Sequence, residues 1–299
     1  MTGTALAMVL TAAVLHAVWN LAAKRVSGDG FAFVWWYNLV SVVLWLPVGL
    51  AMLWQAGFAQ LGTLVWAALV SGVIHIVYQL SLQTGYAKAD LNVVYPVARG
   101  VGPLLSMIVA VLVLGERPGV QGLVGGVVIL AGIAVITTGA GVSAGGTRGT
   151  GGTGTQGRMR SGLAWGAFTG AAIAGYTLWD DHSMASLGLL PVPYFVMCCV
   201  WQTLLMTPAL PRATGHRPLA PVLRRNWWQV LVVAAASPLA YILVLQAMRT
   251  TDVSLVAPAR ETSIVIGALL GWLLFKEDHP GRRLVGAAVV LAGIALIVA

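Results

Sequence analysis

Ten stretches of about 20 residues, each dominated by apolar side chains, follow one another along the chain and constrain its fold more than any other feature. They run over roughly 4–23, 31–54, 61–82, 91–114, 120–139, 162–179, 189–210, 227–248, 253–275 and 283–299. A helix rises about 1.5 Å per residue, so a run of about 20 residues crosses the ~30 Å hydrocarbon core of a bilayer. Composition agrees: 59% of the 299 residues are hydrophobic and 9% charged, against about 25% charged in soluble domains. The mean hydropathy is +0.87. The expectation is an all-α integral membrane protein with ten transmembrane helices. The first run reads as a span and not as a signal peptide, because no basic residue precedes it and Lys24 and Arg25 follow it.

Two function classes recede at once. The two cysteines, Cys198 and Cys199, are adjacent inside the seventh run, where they act as small apolar residues and not as a disulfide or metal pair. The net charge of +8 is scattered over short loops beside the spans, so it reads as a topology signal and implies no nucleic-acid partner.

Near position 140 the composition changes to Gly, Thr and Ser, in GAGVSAGGTRGTGGTGTQG. Such a segment buries too little apolar surface to offset its ordering entropy and reads as a flexible linker. Its overlapping GxGxxG matches, at Gly149 and Gly152, lack the strand and helix that would make them a dinucleotide site. The linker, 140–160, divides the chain into two five-span halves, 1–139 and 161–299. The halves resemble each other. LQTGYAKADLNVVYPVAR followed by GVGPLLSMIVAVLVLGE matches LQAMRTTDVSLVAPAR followed by ETSIVIGALLGWLLFKE, and QGLVGGVVILAGIAVI matches RRLVGAAVVLAGIALI. Arg99 pairs with Arg260 in this register, and Glu116 with Glu277. An odd number of spans per copy sets the two copies in opposite orientations, the inverted repeat of many transporters.

Five-span halves, each with a Pro-containing fourth helix ending in a Glu (VLVLGE at 111–116) and a Gly-rich fifth, resemble the EamA family of the drug/metabolite transporter superfamily. HAVWNLAAK, 16–24, is similar to that family's first helix. The second half departs in having Phe275, Lys276 and Glu277 where the first has Leu-Gly-Glu. The resemblance implies two inverted five-helix repeats around a central cavity and transport of small metabolites, often as export. Orientation follows from charge. Loops after the odd-numbered spans hold thirteen Lys and Arg, including Lys24, Arg25, Arg212, Arg224 and Arg225, and the alternate loops hold Arg117 and Arg249. The positive-inside rule then puts both termini outside, whereas the family that the chain resembles often has both inside.

The chemistry starts at the two arginines. Arg99 lies nine residues beyond Asp90 and Arg260 eight beyond Asp252, which places each roughly 12 to 14 Å into the bilayer. An arginine there costs at least about 2.5 to 3.5 kcal/mol and persists by facing protein, water or an anion. Snorkelling toward the nearer surface or a structural ion pair would account for it. Glu261 is the neighbour of Arg260, but successive helical residues point about 100° apart. The functional reading is that both guanidinium groups face a cavity at the repeat interface and hold an anionic group in their fork of donors. Pro96 and Pro258 precede them and loosen the helix there.

Other polar residues at depth fall at helical spacing. His16, Trp19 and Asn20 share the first span; His75, Tyr78, Gln79 and Gln83 form a stripe on the third; Tyr95 stands on the fourth, Tyr176 and Trp179 on the sixth, Gln202 on the seventh and Tyr241 on the eighth. Any one of them serves as readily as a helix-bridging hydrogen bonder; together they are candidates to line a substrate pocket. His75 and Glu261 are the candidates for proton coupling, His75 because imidazole changes charge near neutral pH. Asp180 and Asp181 read as a hydrated helix end, and Trp36, Trp54, Trp66, Trp227 and Trp228 as interface anchors. Gly122 with Gly126, Gly166 with Gly170, and Gly267 with Gly271 form GxxxG pairs that let backbones approach.

The expected protein is a secondary transporter, an exporter by resemblance, moving a small anionic or zwitterionic metabolite such as an amino acid, organic acid or phosphonate across the cell (inner) membrane. The alternative is a flippase for a phosphate-linked lipid head group. An intramembrane enzyme is disfavoured because no HExxH or metal-ligand spacing appears. No cofactor or metal is implied. The expected partners are the substrate and the bilayer, with a monomer and a homodimer both compatible.

Overall fold

The computed structural model describes residues 1–23, 25–89, 91–138, 152–266 and 280–298. Ten helices matching the ten runs, α1 to α10, are described in whole or part: α1 (Gly3–Ala23), α2 (Gly30–Ala56), α3 (Leu61–Lys88), α4 (Leu91–Leu112), α5 (Gly119–Thr138), α6 (Gly152–Ala185), α7 (Pro191–Met206), α8 (Trp227–Met248), α9 (Val253–Arg260) and α10 (Pro280–Val298). Two short helical segments, Leu210–Ala213 and Ala220–Arg225, lie between α7 and α8. The described residues contain no strand. Six helices among them are long and apolar enough to cross a membrane: α1, α2, α3, α4, α8 and the stretch Pro191–Ala213 that begins with α7. The chain is therefore a multi-pass membrane protein.

Local signals account for several boundaries. Asp29 stops the chain before α2 by accepting a hydrogen bond from the Ala32 backbone N–H at 2.9 Å, which satisfies one of the free donors of the first turn. The helix ends at Gly57, whose φ of 76° suits a residue without Cβ. Pro191 and Pro193 open α7, where a missing N–H costs nothing. Helix α6 begins at Gly152, so 152–160 of the expected linker is helical: each residue added to an existing helix gains a hydrogen bond without a new nucleation cost. Residues 140–151 of that linker, Gly267, Gly271 and Glu277 lie outside the described residues.

Side-chain distribution is that of a bundle in lipid. Val43, Leu50, Val127 and Leu291 are exposed, while Asn38, Ser71, His75, Arg99, Asp180, Arg260 and Glu261 are buried. The helices pack by close backbone approach. Helices α4 and α6 run parallel in a ladder of small steps, with Gly162 against Val93, Gly166 against Val97 and Gly170 against Val101. Helices α5 and α10 run antiparallel, and a Cβ at Gly125 would stand 2.7 Å from the Gly293 carbonyl oxygen. Gly132 faces the Gly286 carbonyl in the same crossing. Helix α2 lies antiparallel to α7, with Gly49 at Pro193 and Trp35 Nε1 donating to Thr207 Oγ1 at 3.0 Å. Packing pairs also join α1 with α8, α3 with α6 and α7, α2 with α8, α4 with α9, and α1 with α9.

One contact ties the ends of this bundle together. The Glu116 carboxylate, just after α4, accepts from the Val253 and Ser254 backbone N–H groups at 2.9 and 3.0 Å. Both are first-turn donors of α9 with no intrahelical acceptor, so a carboxylate from another element caps the helix that carries Arg260.

Candidate functional site

The ninth run does not continue as one helix. Pro258 lacks an N–H, and the Glu261 N–H bonds back to the Pro258 carbonyl at 3.0 Å in a tight turn. The Ile264 N–H bonds to the Glu261 carbonyl at 2.9 Å, and helix resumes over 262–266. This break overturns the expectation that Arg260 and Glu261 point apart, because at the end of α9 both side chains turn into the bundle. Arg260 Nε stands 3.5 Å from Glu261 Oε1.

Arg99 reaches the same carboxylate from α4, with Nη2 at 2.7 Å from Glu261 Oε2. The contact is an ion pair off the hydrogen-bond direction: among the described residues neither Glu261 oxygen accepts a hydrogen bond, and Arg99 Nε has no partner. Arg99 Nη2 also donates to Ser263 Oγ at 3.4 Å, and the Arg260 guanidinium lies 5.8 Å from the Tyr176 ring centroid. Arg99 is 8% exposed, Arg260 6% and Glu261 0%, so neither arginine snorkels to the head groups. The three charges form a buried and partly satisfied network. Such an arrangement stabilises little for its desolvation cost, and each unmade buried bond costs about 1–3 kcal/mol.

Both arginines border a cavity of about 170 Å³. Helix α1 contributes Ala12, His16 and Trp19 to its wall, and α3 contributes His75, Tyr78 and Gln79 from successive turns of one face. Tyr176 comes from α6, Gln202 and Phe195 from α7, and Ala240, Tyr241 and Val244 from α8. His75 stacks on Tyr176 with ring centroids 4.1 Å apart and has the Tyr241 ring edge-on at 5.7 Å. Its Nδ1 lies 2.9 Å from the Ser71 carbonyl oxygen, which only accepts, so Nδ1 carries the hydrogen. Gln79 Nε2 donates to Gln202 Oε1 at 3.2 Å and joins α3 to α7 across the wall.

Behind the wall residue Tyr241 lies a carboxylate that does not itself border the cavity. Tyr241 donates to Asp180 Oδ2 and Tyr194 to Asp180 Oδ1, both at 2.6 Å. Asp180 is 0% exposed and Asp181 is also buried, which corrects the reading of this pair as a hydrated helix end. The helix runs on to Ala185, and α7 folds back so that Tyr194 covers the carboxylate.

Three expected pocket residues stand elsewhere. Asn20 Nδ2 donates to the His16 carbonyl at 2.8 Å along its own helix. Trp179 Nε1 donates to the Ala67 carbonyl at 2.9 Å, and its ring packs edge-on against Trp66, which joins α6 to α3. Tyr95 is half-buried on α4 and does not border the cavity. Conversely, Tyr37, Asn38, Ser237 and Phe195 line it and were not among the expected residues. Asn38 with Ser41, polar residues three apart within an apolar run, was a usable signal; Phe195 carried none.

The lining is rich in unused donors. Trp19 Nε1, Asn38 Nδ2 and Arg99 Nε are buried N–H groups without a partner among the described residues, and all three belong to lining residues. A ligand rich in acceptor oxygens matches such a surface.

Comparison with known proteins agrees with the geometry. The chain matches the EamA-like transporter family over residues 3–138 and 160–299. A solved structure described as "Crystal structure of protein" is 18% identical, superposes with a TM-score of 0.76, and aligns over 99% of this chain and 96% of that one. At that identity it shows a shared fold. No curated protein matches the chain. With the family match spanning nearly its whole length, the chain belongs to the EamA-like transporter family.

Proposed function

We propose that this protein is a secondary transporter that moves a small zwitterionic metabolite through the cavity between two inverted five-helix repeats, by alternating access. Ten spans and the inversion are supported by the packing. Corresponding helices run oppositely in two pairs, α2 with α7 and α5 with α10. Exchanging the halves turns the α1–α8 contact into α6–α3, α3–α7 into α8–α2, and α4–α6 into α9–α1, and every one of these contacts exists. Location in the cell's inner membrane and net export rest on the family.

The observation that carries the substrate class is the charge around the cavity. Arg99 and Arg260 supply two positive charges; Glu261 beside them and Asp180 behind Tyr241 supply two negative ones. A ligand without net charge leaves that balance intact, and the carboxylate of a zwitterion meets the two guanidinium groups on the cavity wall. The volume of about 170 Å³ falls below the roughly 300–1,000 Å³ of drug-sized pockets. It favours an amino-acid-sized solute over a lipid head group with its chains. Proton coupling we assign to His75, which borders the cavity with Nδ1 fixed by Ser71.

The test is a thermal-stabilisation screen of purified protein with amino acids, organic acids and phosphonates, since a ligand that binds the native state stabilises it by mass action. Leucine-sized zwitterions raise the melting temperature of the wild type, and Arg99→Gln and Arg260→Gln each abolish the shift. Undiminished shifts in both variants contradict the assignment.

A further inference from the structure

Glu261 occupies the place where a ligand carboxylate would meet both guanidinium groups. Its side chain is fully buried, 2.7 Å from Arg99 Nη2 and 3.5 Å from Arg260 Nε. The contact is close but one-pronged: among the described residues neither carboxylate oxygen meets a donor at hydrogen-bond geometry, and Arg99 Nε, which a forked carboxylate would engage, has no partner. The residue is held at a turn, between the Glu261 N–H to Pro258 bond and the Ile264 N–H to Glu261 bond, and not within a continuous helical ladder. Short tight turns within helices mark hinges.

We propose that Glu261 is a tethered occupant of the anion subsite, and that a ligand carboxylate binds by displacing it; this rests on the transport reading of the same cavity. Two properties follow. Competition from a tethered carboxylate weakens binding, which lets a transported ligand leave on the far side. When the ligand has gone, the return of Glu261 restores a counter-charge to two buried arginines, so the empty carrier does not face the low-dielectric interior with both uncompensated. Glu261 also sets charge selectivity. With it displaced but still nearby, the site holds a second negative charge that disfavours a simple monoanion relative to a zwitterion of the same shape.

Carboxylate rescue tests this without knowledge of the natural substrate. Glu261→Ala leaves the arginines without their internal anion, so its melting temperature falls below the wild type's. Propionate restores it, propionamide does not, and Arg99→Gln/Glu261→Ala shows no rescue. Propionate shifts the wild type much less at the same concentration. If propionate leaves Glu261→Ala unshifted, or stabilises wild type equally, the proposal is overturned. Should the alanine variant fail to fold, Glu261→Gln keeps the side-chain volume and binds propionate about tenfold more tightly than wild type, a difference of ~1.4 kcal/mol. Equal affinities overturn the proposal. Leucine stabilisation that survives Arg99→Gln and Arg260→Gln contradicts the transport-site reading separately, because the rescue experiment uses no zwitterion.

Discussion

Asp180 lies inside the bundle with a tyrosine hydroxyl on each oxygen, Tyr194 from the next helix and Tyr241 from the cavity wall. A carboxylate so buried relies on those two donors, since hydrogen bonds to charged groups are worth about 1.5–3 kcal/mol each. Tyr241→Phe removes one while keeping the ring. Its expected cost is about 1–3 kcal/mol, read as a lower denaturation midpoint of the purified protein, with Tyr194→Phe behaving alike. An unchanged midpoint in both would mean that the carboxylate is satisfied in some other way. The sequence marks Asp180 as an acid near the end of a run, a position that hydrated helix ends and buried network members share. What decides between them is Tyr194, fourteen residues on and across a turn, and no local pattern announces it.

Among the elements, α5 and α10 show what was legible and what was not. Gly122 and Gly126 were readable as a GxxxG pair, and both do sit in close contacts, but with side chains: Leu255 lies over Gly122, and Met107 and Pro258 over Gly126. The closest backbone approach uses Gly125 and Gly293, on another face. Which glycine face meets a partner depends on the rotation of the helix, and a lone sequence motif does not carry that information. Gly125→Ala would put a Cβ 2.7 Å from the Gly293 carbonyl oxygen and 2.8 Å from Ile297 Cγ1. Backbone cannot yield as a flexible side chain does, so the expected loss is about 1–3 kcal/mol. Gly100→Ala, where a Cβ meets nothing within 4 Å, is the control and leaves stability near that of wild type. Equal stabilities of the two variants would show that the α5–α10 crossing is looser than described. Helix α9 teaches the same lesson. Its apolar run and Pro258 were visible, but the turn at Glu261 that brings the carboxylate to Arg99 emerges only when α4 and α9 pack.

At the scale of the whole molecule, hydropathy and duplication carried most of the architecture, because a bilayer leaves apolar helices few alternatives and a repeated segment repeats its environment. The pairing of Arg99 with Arg260 in the repeat register translated into two cations on one cavity. Less legible was the sign of the whole site: the arginines suggested an anion, and the carboxylates of Glu261 and Asp180 bring the surrounding charge back to balance. The central claim is that both arginines face a water-reachable cavity between the halves. It is tested most directly by a single cysteine at Ala240, a buried wall position, in a chain whose Cys198 and Cys199 are replaced by alanine. A small water-soluble thiol reagent is expected to label this cysteine in the folded protein, and saturating leucine to slow the labelling by occupying the cavity. Arg99→Gln should remove the protection by leucine. No labelling at all, or labelling that leucine leaves unchanged, would contradict the account.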